Sequence, residues 1–179
     1  MRTLTRLLCV SALFVSVAFA ESLSETRKKA EQGDANAQFN LGWMYAIGDG
    51  VPKDSTEAVK WFRKAAEQGN ANAQCSLGLK YDKGDGVPKD EREAVKWYRK
   101  AAEQGDAHAQ FNLGLSYRYG DGVPKDIVQA HAWLNIAGAN GNEPAKKLLV
   151  IIEKEEMTDS QKERAMDLAR EMFARLEKK

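Results

Sequence analysis

Residues 33–68 read GDANAQFNLGWMYAIGDGVPKDSTEAVKWFRKAAEQ, and residues 69–104 read GNANAQCSLGLKYDKGDGVPKDEREAVKWYRKAAEQ, identical at 26 of 36 positions. A third copy fills 105–140, and a fourth opens at Gly141 and decays within a few residues. Landmarks return in phase: Leu41, Leu77, Leu113 and Leu149; Tyr45, Tyr81 and Tyr117; Trp61, Trp97 and Trp133. Self-similarity at a period of about 20 to 50 residues marks an array whose units bury their apolar faces only against neighbours. The chain is therefore expected to fold as an all-α solenoid of helix-turn-helix units.

Each unit divides into two helices. Asp34, Asn70 and Asp106 can accept hydrogen bonds from free amides of a first helical turn. Ala37, Leu41 and Tyr45 follow at helical spacing. Gly42, Gly78 and Gly114 stand inside the first helix, where glycine costs about 1 kcal/mol relative to alanine, so a neighbouring helix is expected to approach closely there. Gly48-Asp49-Gly50 ends that helix and Val51-Pro52 forces an extended step. Asp54 with Glu57, Asp90 with Glu93 and Asp126 with Gln129 have capping-box spacing for the second helix. On that helix Ala58, Trp61, Phe62 and Ala65 form an apolar face, and Lys60, Arg63, Lys64 and Glu67 a wet one.

The ends depart from this pattern. Residues 21–31 align with the close of a second helix but carry Glu25 for Trp61 and Lys29 for Ala65, as a polar terminal cap requires. In the third unit Ala132, Asn135, Ile136 and Ala139 replace the wet-face residues. The fourth unit has Val150 in place of the helix glycine. A final amphipathic helix, expected from about Asp159 to Glu177, brings Met166, Ala169, Met172 and Phe173 to cover the third unit. The expected division is a leader over 1–20, an N-terminal capping helix over 21–32, repeats over 33–68, 69–104 and 105–140, a terminal half-repeat over 141–157 and a C-terminal capping helix over 158–179.

Met1 to Ala20 carries Arg2 and Arg6 before the apolar run Leu7 to Phe19 and finishes on Ala18-Phe19-Ala20, the pattern of a cleavable secretory signal. The run is too short to span a bilayer. The 179 residues hold 27 basic and 26 acidic side chains; without the leader and its two arginines the net charge becomes −1. No basic field exists to attract nucleic acid or an acidic membrane. Cys9 leaves with the leader, so Cys75 has no intrachain disulfide partner.

The pattern Ala37-Gln38, Leu41-Gly42, Tyr45, Gly48-Asp49-Gly50-Val51, Asp54, Ala58, Trp61 and Ala65-Ala66 resembles the Sel-one-like repeat (SLR), a relative of the tetratricopeptide repeat. The resemblance covers about 30 to 150. It implies a right-handed superhelix that binds other proteins, commonly as an adaptor in the bacterial envelope or in eukaryotic secretory quality control, without shared catalytic residues. Some secreted relatives carry a cysteine pair in every repeat and are linked to penicillin or peptidoglycan binding; this chain has no such pairs.

No chemistry-bearing constellation stands out. His108 and His131 lie on different helices with no ligand pair to complete a metal site; His131 occupies the seam position of Val59 and Val95. Cys75 replaces Phe39 and Phe111, which suits a buried thiol. The loop acids lack calcium-loop spacing, and Gly-Asp-Gly lacks the Lys-Ser/Thr of a phosphate loop. No metal and no cofactor are expected. Positions that break the repeat are the better guide to binding: Asn40, Met44 and Ile47; Ser76, Lys80 and Lys83; Asn112, Ser116 and Tyr119. These trios are expected to line a concave groove for a protein or peptide. The chain thus reads as an exported, periplasmic, monomeric, non-enzymatic adaptor. The alternatives are an envelope enzyme or binder acting on β-lactam or peptidoglycan material, for which Cys75 or His108 would be the chemical groups, and a secreted effector that modulates host proteins.

Overall fold

The computed structural model describes residues 23–176 and 178. The expected leader with Cys9, the first residues of the N-terminal cap and Glu177 lie outside the described residues. Helix α1 covers 23–31, followed by α2 (Ala35–Ile47), α3 (Ser55–Glu67), α4 (Ala71–Lys83), α5 (Glu91–Ala102), α6 (Ala107–Tyr119), α7 (Ile127–Ala139), α8 (Glu143–Glu155) and α9 (Asp159–Leu176). Among the described residues there is no strand. The helices stack in sequence as a helical-repeat solenoid.

Local signals set the helix starts. Asp34, Asn70, Asp106 and Asn142 each accept from the backbone N–H three residues on, at 2.7–2.9 Å. Asp54 and Asp126 each cap two amides, and Asp90 caps that of Glu93. The reciprocal arm of the expected capping boxes does not form at Asp54, Asp90 or Asp126. Their own N–H groups donate instead to Tyr45, Tyr81 and Tyr117 O at 2.9–3.0 Å, which leaves Glu57 and Glu93 to pair with Lys60 and Lys96. A complete box forms only at α9 among the described residues: Thr158 N–H donates to Gln161 Oε1 at 2.9 Å and Gln161 N–H to Thr158 Oγ1 at 3.3 Å.

Within a unit the two helices meet at the mid-helix glycine. A Cβ on Gly42 would lie 2.8 Å from the Phe62 ring, one on Gly78 2.6 Å from Tyr98 and one on Gly114 2.7 Å from Leu134. Between units, buried glutamines hold the register. Gln38, Gln74 and Gln110 donate to Ala30, Ala66 and Ala102 O of the preceding second helix at 3.0–3.1 Å. Their own oxygens accept from Gln68, Gln104 and Asn140 at 2.7–2.9 Å. A buried amide left without a partner costs about 1–3 kcal/mol, so using both ends of each amide fixes one stacking. Arg27, Arg63 and Arg99 likewise donate to the hydroxyls of Tyr45, Tyr81 and Tyr117 in the next unit.

The array ends on half units. Helix α1 makes the Gln38 and Tyr45 contacts of a second helix, and its outer side carries an exposed Lys29–Glu25 pair. Helix α8 is a first helix without a second: Val150, at the position of Gly42, Gly78 and Gly114, is 66% exposed. Helix α9 packs chiefly on α7, burying Ala165, Ala169 and Met172 and leaving Ala132 and Ile136 fully covered. Met166 differs from expectation and remains 42% exposed, because Ala165, one position earlier, faces the core with Ala169 and Met172 at i+4 and i+7. Glu163 and Arg170 face water.

Candidate protein-interaction surface

The first helices α2, α4, α6 and α8 share one cleft of about 610 Å³, reached by Phe39, Cys75, Leu79, Phe111 and Pro144 with the polar side chains of Asn72, Ser76, His108 and Asn112. Its outward stripe repeats in register. Asn40, Ser76, Asn112 and Leu148 form one row, and Trp43, Leu79, Leu115 and Ile151 a second in which all four residues are apolar and none is fully buried. Trp43 is 51% exposed and Ile151 44%. Ile47, Lys83 and Tyr119 form a third row, all exposed.

Six of the nine residues expected from sequence to bind a partner, Asn40, Ile47, Ser76, Lys83, Asn112 and Tyr119, lie on this stripe. Met44, Lys80 and Ser116 do not. Position 44 follows Ala37 and Leu41 at i+7 and i+3, so it continues the core stripe of its helix. Met44 packs against the buried cluster of Ala30, Ala37 and Leu41, and Ser116 is buried with its hydroxyl donating to Asn112 O. Lys80 has a side chain only 14% exposed and reaches Asp85 Oδ2 at 2.5 Å. The apolar row that sequence reasoning passed over was legible: Trp43, Leu79, Leu115 and Ile151 stand 36 residues apart and fall outside the stripe formed by Leu41 and its copies.

The Lys80 ammonium, and next the Ser55 hydroxyl, hold the Asp85 carboxyl below its usual range. A depressed carboxyl contributes stability that is present above its unfolded pKa of about 4 and lost as pH falls through the folded value. Lys80→Leu, which would be neutral at a groove position, is therefore expected to destabilise by about 1 kcal/mol at pH 7 and to show a smaller loss of stability than the parent on acidification. Thermal melts at neutral and acidic pH check both.

Cys75 and His108 both reach the cleft. Burial, and then the Asp106 carboxylate, push the Cys75 thiol up to about 12, so at neutral pH it stays protonated and a poor nucleophile. A thiol-reactive dye at pH 8 is expected to label the native protein at least tenfold more slowly than the unfolded one; equal rates would mean the thiol is open. His131 is 1% exposed and shares a hydrogen bond between Nε2 and Glu153 Oε1 of α8 at 2.7 Å. Among the described residues no group of three His, Cys, Asp or Glu side chains could hold a metal ion. Among them, too, no helix is long and apolar enough to cross a membrane.

The Sel1 repeat model matches residues 35–70, 71–106 and 107–142. The chain belongs to the Sel1 repeat family. Proteins built of Sel1 repeats generally serve as scaffolds for protein interaction. The crystal structure of c5321, a protective antigen of uropathogenic Escherichia coli strains with an SLR fold, is similar over 88% of this chain and 33% of its own, at 41% identity and a TM-score of 0.80. A Sel1 repeat protein from Oxalobacter formigenes is similar over 72% of this chain and 96% of its own, at 45% identity and a TM-score of 0.66. Helicobacter pylori cysteine rich protein B is 25% identical, with a TM-score of 0.59. The secretory immunoglobulin A-binding protein EsiB of Escherichia coli O6:H1 is 44% identical over 41 residues, 23% of this chain and 8% of that protein. This Sel1 repeat chain thus spans a small part of the curated relative and a third of the c5321 chain.

Proposed function

We propose that this Sel1 repeat protein is an exported, non-enzymatic adaptor, periplasmic in its working location, that holds a protein or peptide in a concave groove formed by its first helices. The observation that carries the reading is the row Trp43, Leu79, Leu115 and Ile151. The second helices of units two and three bury Trp97 and Trp133, whereas the first helices keep a large apolar residue in reach of solvent at the same register in every unit. Beside it, Asn40, Ser76 and Asn112 can donate to and accept from a bound backbone, and an aligned series of such contacts suits an extended segment. The high pKa of Cys75 argues against nucleophilic turnover on β-lactam or peptidoglycan material.

A displayed peptide library tests the groove. Selected binders are expected to lose at least tenfold in affinity on Leu79→Asp or Leu115→Asp, with unchanged helicity and with Lys60→Asp as a silent control on the far side. Binders indifferent to both groove substitutions would defeat this reading. Intact mass of the exported form tests the location: the mature chain is expected to begin at Glu21, and a precursor-sized product would contradict export.

A further inference from the structure

The rows that open with Asn36, Asn40 and Trp43 stand four and then three residues apart, so they share one face of the first helices α2, α4, α6 and α8. Charged residues make up 30% of the chain, yet across these three rows on four helices no position carries an aspartate, glutamate, lysine or arginine. Charge only borders the face. Asp106 caps α6 at 2.7 Å from the Ala109 N–H and meets the Cys75 thiol, and Glu143 pairs with Lys146 at 2.7 Å. Lys83 and Glu155 stand one turn further on, in the row of Ile47, and Lys147, in the row of Phe39, is exposed at the open end on α8. The middle row is also unspent. Asn40, Ser76 and Asn112 make no side-chain hydrogen bond among the described residues, whereas Gln38, Gln74 and Gln110, two positions earlier, use both ends of each amide to join the units.

Resting on the groove reading above, we infer that the occupant is an extended polypeptide segment with no charged side chain along its contact, apolar at alternate residues. A carboxylate or ammonium laid on this face would give up water and meet no counter-ion, a loss that an aliphatic or amide side chain does not suffer. A backbone brings an N–H and a C=O at every residue, and the unspent amides and hydroxyl of Asn40, Ser76 and Asn112 can pair with both kinds of group. Alternate side chains of an extended strand fall on one side, where the row from Trp43 to Ile151 offers apolar contact. The same neutrality removes electrostatic attraction at a distance, so contact and not ionic strength sets the affinity.

The test uses the full mature chain and three displayed peptide libraries of equal length with apolar residues at alternate positions. The intervening positions hold Ser, Thr, Asn and Gln in the first, Asp and Glu in the second, and Lys and Arg in the third. The neutral library is expected to be enriched at least tenfold over either charged one, with its binders lost on Leu79→Asp. Their affinity is expected to change less than twofold between about 0.05 and 0.5 M sodium chloride. Ser76→Lys, with native helicity, is expected to weaken the neutral binders at least tenfold and to draw binders from the acidic library, and Lys60→Asp on the far side to alter neither. Charged binders that depend on Leu79 and match the neutral ones in affinity would overturn this inference and leave the groove standing. Neutral binders weakened tenfold by the added salt, or indifferent to Ser76→Lys, would do the same. Failure of every library to give a Leu79-dependent binder would overturn the groove reading and this inference together.

Discussion

Gly78→Leu is expected to destabilise the protein by roughly 2–4 kcal/mol, read as a fall in thermal midpoint. Even a single Cβ at Gly78 would lie 2.6 Å from the Tyr98 ring and 3.2 Å from Ala94 O. The ring is held in a packed core, so the helices must part. Gly86→Ala belongs in the same experiment: at φ +81° its Cβ would lie 2.2 Å from the Ser55 carbonyl oxygen of the preceding unit. Backbone cannot yield as a side-chain tip does, and a cost of about 3 kcal/mol or more is expected. Gly69→Ala is the matched control, with φ +93° and open space around the added methyl, and only the left-handed strain of about 1–2 kcal/mol is expected. Equal losses at Gly69 and Gly86 would mean that conformation alone, and not the contact between units, sets the effect.

Removal of α9 by truncation after Met157 is expected to be the other large perturbation. Ala165, Ala169 and Met172 leave the core, and Trp133, Ile136 and Ala132 lose their cover. At about 1.5–3 kcal/mol for each large side chain returned to water, the loss is roughly 4 kcal/mol or more, and the exposed patch invites association. Dye binding and sedimentation read the patch, and circular dichroism is expected to show the first units still helical. A truncated protein as stable and as monomeric as the parent would show that α9 contributes no packing.

Much of this architecture was legible because four copies of one pattern act as independent readings of the same physics. Caps, loop glycines and core leucines recur, and so does their structure. The missing arm of the capping box was hidden because Asp54 N–H has a second acceptor, Tyr45 O, which only the closed loop brings near. Met44, Lys80 and Ser116 differ in chemistry, and that variety masked a shared core position. The packing of α9 on α7 was legible, because Ala132 and Ile136 stand where the earlier units carry exposed lysines and an apolar face at the end of an array needs a cover. The glutamine ladder left a signal that went unused: Gln38, Gln74 and Gln110 return unchanged beside the core alanines, where a lone polar residue needs a partner.

The half units at the two ends give the chain a property at the level of its gene. The three bonds that recur between units each span a fixed separation, 8 residues for glutamine to backbone, 18 for arginine to tyrosine and 30 for amide to amide. Insertion or loss of one 36-residue unit ahead of residue 105 leaves each of these bonds with a partner and leaves α1, and α7 with the α8 and α9 that pack on it, untouched. Copies identical at 26 of 36 positions are natural substrates for unequal recombination. Change in length by whole units, with the binding stripe growing or shrinking by one row at a time, is therefore the variation this fold tolerates most readily.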